Sequence, residues 1–405
     1  MISDDQRWDK ITPTYTPKIW DQLVDSPGTD AHPNATSTMF RNSFVSNPLC
    51  CPSRATILSG QYSHTNGVWN NQDPYGGFAA FDDNHTLAVD FRMAGYRTAM
   101  IGKYLNGYRS GIMRYVPPGW NRWFATNTGD YFDYNVTTRR GFRSYGWEPR
   151  DYMTRVLRHQ AVSFIDSGST VPFFLYLSFT APHGPAIPDP KDVGRFAGEP
   201  DYQFTRGLHG HTSSMLEAGY GVDRAVGRVL AALPDDTILL YVSDNGFMWH
   251  DDSIHGPLSG KVWPYNESIR VPMILASLDG TVTPTAGAGD IVANVDIRTS
   301  LLHAAGLAPL TSQEGIDWFG TGYSARGHLL LEHFQDRTYC GIRSKGWLYA
   351  RFERNGSYTE ELYDESADPT EVSNLADDPL YTATRLELRA LAVNGCDPPP
   401  PGYSW

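Results

Sequence analysis

Four short apolar runs in this chain share one grammar, and that grammar restricts the fold more than any other feature. Met1-Ile2-Ser3 ends in Asp4-Asp5, and the run 96–101 ends in Gly102-Lys103. The run 173–179 ends in Ala181-Pro182-His183-Gly184, and 237–242 ends in Ser243-Asp244-Asn245-Gly246. Runs that are apolar with little alternation suit parallel strands covered on both faces. Helical spacings lie between them. Val222, Ala225, Val226, Val229, Leu230 and Leu233 make one apolar face; Ile297, Leu301, Leu302 and Ala305 make another, stopped by Gly306. Strands alternating with helices predict an α/β domain with a doubly wound, mostly parallel sheet.

The first run is short for a buried strand, which usually has about five or six residues. We therefore expect the beginning of that strand, and any targeting segment, to precede Met1. The pattern changes near residue 336. Segments 338–343, 347–353 and 358–363 read as antiparallel strands turning at Lys345-Gly346 and Asn355-Gly356, followed by a helix around 380–393. The expected organisation is a catalytic α/β domain over 1–335 and a small antiparallel α+β subdomain over 336–405.

Charge narrows the function. A net charge of −12 over 405 residues argues against nucleic acid or an anionic membrane as the main partner. Any bound anion must be held by a local cluster of cations or a metal. No apolar run is long enough to span a bilayer. The four cysteines, Cys50, Cys51, Cys340 and Cys396, match no zinc spacing. Cys50 and Cys51 are adjacent and poorly placed to bridge each other. Cys340 and Cys396 can pair or stay free; spacing leaves both open.

In open α/β sheets, ligands sit beyond the carboxyl ends of the strands. Four such ends carry two carboxylates, a Lys, a His and an Asp-Asn pair. Taken singly, each reads equally well as an ordinary turn; together they read as a site. Asp4, Asp5, Asp244 and Asn245 offer only oxygen, which suits a hard cation, Ca²⁺ or Mg²⁺, rather than zinc. The segment Cys50-Cys51-Pro52-Ser53-Arg54, running on to Leu58-Ser59-Gly60, reads as a helix with Pro52 in its first turn and Gly60 as its stop. Cys50 is then expected just before a helix N-terminus, where partial positive charge and free N–H groups favour anions. Arg54 adds charge nearby. His64, His250 and His255 read as polar surface or supporting residues rather than catalysts.

Cys50-x-Pro52-Ser53-Arg54, followed by Leu58-Ser59-Gly60 and Gly67-Val68, closely resembles the signature of the type I sulfatases, members of the alkaline-phosphatase superfamily. The resemblance continues through Gly102-Lys103, Ala181-Pro182-His183, Asp244-Asn245-Gly246, Lys261 with the segment 267–272, Val295-Asp296-Ile297 and Glu361-Leu362-Tyr363-Asp364. It implies that Cys50 is converted to formylglycine by a formylglycine-generating enzyme. It further implies that Asp4, Asp5, Asp244, Asn245 and the modified Cys50 hold one divalent cation, usually Ca²⁺. Arg54 would orient the nucleophile, and Lys103, His183 and Lys261 would contact the sulfate. Many family members carry a His two residues beyond the Lys matched to Lys103; here Leu105 stands there. Gly102-Lys103-Tyr104-Leu105-Asn106, with the doubled Cys50-Cys51, resembles the glucosamine-6-sulfatase branch, which implies a sulfated sugar. The resemblance also implies a secreted, periplasmic or lysosomal location. Two other readings stay open: a phosphomonoester or phosphonate-ester hydrolase of the same superfamily, and a catalytically inactive fragment or binding protein.

Overall fold

The computed structural model describes residues 1–109, 112–126, 129–168, 170–204, 210–249, 260–335 and 337–405. Its main sheet has nine strands, in the order Thr36–Met39, Met273–Ser277, Ile238–Ser243, Ile2–Asp4, Phe173–Pro182, Arg97–Lys103, Arg122–Thr126, Tyr134–Thr138 and Gly141–Tyr145. The five central strands, from Ile238–Ser243 to Arg122–Thr126, run parallel. Two antiparallel strands close each edge. Ile2–Asp4 spans three residues and lies in the middle, with Ile2 opposite both Val242 and Ser178.

Alternation along one strand shows how the sheet is covered. Ala99 and Ile101 enter a core with Val156, Leu157 and Ala161 of the helix Met153–Ile165 and with Val222, Val226 and Val229 of the helix Thr212–Leu230. Met100, between them, faces the opposite core with Ala55 and Leu58 of the helix Cys50–Ser59 and Ile297 of the helix Ile297–Ala304. Helices on both faces make the sheet doubly wound. Each fully buried Leu, Ile or Val side chain contributes about 1.5–3 kcal/mol relative to exposure.

A second, antiparallel sheet follows the chain order His328–His333, Thr338–Ser344, Trp347–Arg354, Ser357–Asp364. Asn355 and Gly356 both have positive φ, +52° and +77°, as a tight hairpin turn requires. The first strand of this sheet lies upstream of residue 336, where the sequence pattern reads as changing. Its Leu329-Leu330-Leu331 core is buried without alternation, so it lacks the period of an antiparallel strand. The helix Thr382–Gly395 packs on the sheet, and a disulfide joins Cys340 to Cys396, with Cα atoms 6.3 Å apart. In the chain-entropy account, closing 56 residues of separation stabilises by about 4 kcal/mol.

Candidate active site

Because the central strands are parallel, their carboxyl ends converge on one edge of the sheet. Asp4 ends the first strand and Lys103 ends Arg97–Lys103. His183 follows Pro182 directly, and Asp244 follows Ser243. The helix Cys50–Ser59 points its N-terminus at the same place. Cys50 is its first residue rather than the one before it: extended Leu49 is the N-cap, and Gly60, at φ +67°, stops the helix as expected.

Arg54 organises the site from the second turn of that helix. Its guanidinium is completely buried. Nη2 donates to Asp4 Oδ2 at 2.9 Å and Nε to Asp244 Oδ2 at 2.8 Å. Nη1 donates to the Lys103 carbonyl at 3.0 Å and the Ser178 hydroxyl at 2.5 Å. Two ammonium groups approach from other sides. Lys103 Nζ pairs with Asp4 Oδ2 and lies 3.5 Å from Cys50 Sγ. Lys261 Nζ lies 2.5 Å from Asp5 Oδ1 and 2.8 Å from Cys50 Sγ. His183 Nδ1 faces the Gly184 carbonyl at 2.6 Å, so that nitrogen carries the proton. Nε2 is then turned towards Asp5 Oδ2, 3.9 Å away.

Burial and charge act against each other here. Burial opposes ionisation of Asp4, yet Lys103, His183, Arg54 and Lys261 together hold its carboxyl below the usual range. Asp244 is pushed up to about 6, first by burial and then by the Asp4 charge. Burial lowers the Lys103 and Lys261 ammoniums, but the facing Asp4 and Asp5 carboxylates outweigh it and raise both. Burial and Lys103 bring His183 down to about 4, so its imidazole is neutral near pH 7. Burial, then Asp4, pushes the Cys50 thiol up to about 12.

The donor set fits a hard cation. Asp4, Asp5 and Asp244 each offer a carboxylate oxygen, and the three oxygens lie within 4.8 Å of one another. Asp5 Oδ2 and Asn245 Oδ1 are buried acceptors with no hydrogen-bond donor among the described residues. The Asn245 amide donates to Asp5 Oδ1 at 2.6 Å, which turns its oxygen the other way. Two buried orphan acceptors beside three carboxylates are costly without a cation.

The eight residues that the sequence grouped at strand ends or around Cys50, and Lys261, which only the resemblance added, thus lie in one cluster. Leu105 does not: it is buried in the apolar core with Tyr104, Tyr108 and Trp123. Of the two readings for His64, that of a supporting rather than a surface residue fits. Its ring is nearly buried, with Nδ1 2.8 Å from Glu332 Oε2. His250 and His255 lie outside the described residues. Sequence reasoning missed Ser178, whose inward hydroxyl accepts from Arg54. A single Ser within an apolar strand signals nothing. Gly102, named beside Lys103 in the sequence, has φ +115°, and a Cβ there would stand 1.8 Å from the Ser178 carbonyl oxygen.

Comparison with known proteins bears on the whole chain. The sulfatase family model matches residues 2–307, and a model described as N-sulphoglucosamine sulphohydrolase, C-terminal, matches residues 255–394. The chain is 30% identical over 348 residues to an extracellular sulfatase Sulf-1 homolog of Caenorhabditis elegans, covering 76% of this chain and 46% of that protein. It therefore spans less than half the length of that relative. It is 25% identical to human N-acetylglucosamine-6-sulfatase, covering 98% of this chain and 84% of that one. In fold it is similar to a protein solved in complex with its substrate D-glucosamine-2-N,6-O-disulfate, with a TM-score of 0.78, 20% identity and coverage of 98% and 96%. The phosphonate monoester hydrolase of Agrobacterium radiobacter is also similar, with a TM-score of 0.71, 20% identity and coverage of 97% and 94%. A match through 2–307 spans all the strand ends and the Cys50 helix, and on it the chain belongs to the sulfatase family.

Proposed function

We propose that this protein hydrolyses a sulfate monoester carried by a sugar. One observation carries the reading: the Lys261 and Lys103 ammoniums lie 2.8 and 3.5 Å from Cys50 Sγ, with three carboxylates behind them. Cations face the position of an anionic ester, and carboxylates face the position of a metal.

A thiol pushed up to about 12 is protonated at neutral pH and a poor nucleophile. Unmodified Cys50 is thus ill suited to attack an ester; conversion to formylglycine by a formylglycine-generating enzyme is supported by the Cys50-x-Pro52-Ser53-Arg54 signature and the sulfatase family match. Hydrated, that aldehyde would supply two hydroxyls on one carbon: one for the new bond to sulfur as the sugar alcohol leaves, the other, on losing its proton, for the C=O that reforms as sulfate departs. Asp4, Asp5, Asp244, Asn245 and residue 50 would hold a divalent cation, Ca²⁺ or Mg²⁺, which supplies Lewis-acid charge to the ester. Arg54 positions Asp4 and Asp244 and offsets their charge. Lys103 and Lys261 neutralise charge developing on the non-bridging oxygens, in a buried setting where such stabilisation is strong. His183, with Nδ1 committed to a carbonyl, leaves Nε2 to contact the ester.

A sulfated aminosugar is favoured by the N-acetylglucosamine-6-sulfatase relatives and by the disulfated glucosamine bound to the structural neighbour. The Cys340–Cys396 disulfide favours a location outside the reducing cytosol, as for the extracellular relative. The test is sulfate release from glucosamine-6-sulfate beside phosphate or phosphonate release from aryl esters. It goes with peptide mass analysis across Cys50 in protein from the native host. Sulfate release with an aldehyde at position 50 is expected. Faster turnover of the phosphonate ester would move the chain to the superfamily's phosphonate hydrolases.

A further inference from the structure

At the end of the sheet opposite Cys50, arginines gather that nothing in the proposed reaction uses. Residues 109–160 hold nine Arg against four acidic residues, in a chain whose net charge is −12. Arg97 and Arg122 begin neighbouring parallel strands. Arg139 and Arg140 make the turn between the two edge strands; Arg143 lies on the outermost strand opposite Val136, nearer the reacting level than the turn is, with its charge still felt by Arg122. Their partners are neutral. Arg122 donates to Gln160 Oε1 at 2.6 Å and Arg139 to the Asn121 carbonyl at 2.9 Å, while Arg143 meets only the Tyr145 hydroxyl, at 3.4 Å. Arg97 bonds the Ser167 hydroxyl and lies over the Phe164 ring. Among the described residues, none of the five makes an ion pair with a carboxylate. Arg122 is held below its ordinary value by burial and then by the charges of Arg97 and Arg143, so its charged neighbours are cations.

Unpaired guanidiniums clustered in an acidic protein are costly to keep together, and an external polyanion relieves that cost. Guanidinium forks match sulfate geometry with two parallel hydrogen bonds. One exposed aromatic ring accompanies them. Phe142, the residue after Gly141 at the hairpin turn, is 41% exposed, with Arg114 above its ring at 5.4 Å. A flat apolar ring beside cations suits a sulfated sugar chain, which offers both apolar ring faces and anions. Along the sheet, Arg97 stands six steps, about 20 Å, from Lys103, and Arg122, which pairs with Ala99, stands four steps, about 13 Å, from that level. A chain of several sugars spans such distances; one sugar does not.

We propose that this arginine edge is an exosite for a polymeric sulfated glycan, which it holds while another part of the chain, or a neighbouring chain, reaches Cys50. The choice of ligand rests on the sulfate-ester reading above; the binding measurement does not require turnover.

The experiment uses the full chain as a Cys50→Ala variant, with heparin oligosaccharides of increasing length, chemically desulfated heparin and single-stranded DNA of matched charge. The comparison variant adds Arg139→Gln, Arg140→Gln and Arg143→Gln, all at exposed positions. Affinity for the longest sulfated chains should fall about tenfold or more, as expected from losing a few charge-assisted contacts, and its salt dependence should flatten. In protein that retains Cys50 and has been matured in the native host, the ratio of kcat/KM on polymer to that on a single sulfated sugar should fall by a similar factor. Unchanged affinity for long heparin would overturn the proposal. So would desulfated heparin, or DNA, binding as tightly as heparin. Absence of sulfatase turnover together with intact, arginine-dependent heparin binding would overturn the catalytic reading and leave the exosite standing.

Discussion

The strand Arg97–Lys103 has a cation at each end, and the two ends show opposite electrostatic designs. Lys103 is buried and meets Asp4, Cys50 and the field of Asp244. Arg97 meets a serine hydroxyl, an aromatic ring and further arginines. At the first end every charge is compensated, so removing one member leaves its partners buried and unpaired. At the second end little compensates the charge, so removing a member relieves repulsion. The reacting end is therefore expected to be intolerant of substitution and the far end permissive.

The largest expected effect tests the reacting end through its nucleophile. Cys50→Ala should abolish turnover. Cys50→Ser keeps a single hydroxyl, so it should release product at most about once per molecule and retain sulfate as a covalent serine ester. Cys51→Ser should keep multiple turnover, because Cys51 faces Asn106 and the apolar core. Product counted per enzyme molecule, with intact-protein mass, reads all three. Sustained turnover by Cys50→Ser would show that no aldehyde is needed.

Next comes the carboxylate cluster. Added Ca²⁺ or Mg²⁺ should raise the melting temperature, with about 2.7 kcal/mol of stabilisation at a hundredfold excess over Kd. Asp244→Ala should abolish both that rise and the activity. Arg54→Leu, which strands Asp4 and Asp244, should cost about 3–5 kcal/mol in metal-free buffer. Full activity after exhaustive chelation would contradict the metal assignment, and an Arg54→Leu protein as stable as wild type would contradict the compensated design.

A smaller effect concerns His64, which fastens the short helix Ser63–Asn66 after the Cys50 helix to the second sheet. Burial lowers this imidazole, but the hydrogen bond and charge of Glu332 outweigh it and raise it above its ordinary value. A raised folded value means that the protonated form is the stabilising one. Its contribution is complete below the unfolded value and is lost as pH rises through the folded one. His64→Gln should therefore cost about 1.5–3 kcal/mol near pH 5, with the difference narrowing above pH 7. Thermal unfolding of both proteins across pH 5–9 checks it; a constant difference would mean that the ring acts by packing alone.

How much of this was legible in sequence follows from where the signals sit. Parallel strands bring their ends together whatever lies between, so residues at positions 4, 103, 183 and 244 could be grouped from the grammar of four runs. The helix from Cys50 to Gly60 was legible from Pro52, Gly60 and the spacing between them. Both sheet edges were not. Tyr134–Thr138 and Gly141–Tyr145 mix aromatic, hydroxyl and charged residues, and Met273–Ser277 is a five-residue run whose Ser277-Leu278-Asp279 end reads as an ordinary turn. The supports of Arg54 were also hidden, since Ser178 becomes a partner only through strand register. The arginine edge escaped for a related reason. Its members are scattered from 97 to 143, and a global charge of −12 masks them.

The smallest expected effect is at that edge, and it is the sharpest check on the contrast between the two ends. Arg139, Arg140 and Arg143 are exposed and lack ion pairs among the described residues. Exposed substitutions away from caps, cores and special backbone positions usually change stability by no more than about 0.5 kcal/mol. Here the sign is also set, because replacing one of several like charges removes repulsion. Arg143→Gln should therefore leave stability unchanged or raise it by a few tenths of a kcal/mol at low ionic strength. The gain should disappear in about 1 M salt, where charges more than about 3 Å apart no longer sense each other. Urea unfolding of wild type and variant at both salt concentrations measures it. A loss above 1 kcal/mol at low salt would mean that Arg143 is paired after all, and that the two ends of the sheet are built alike.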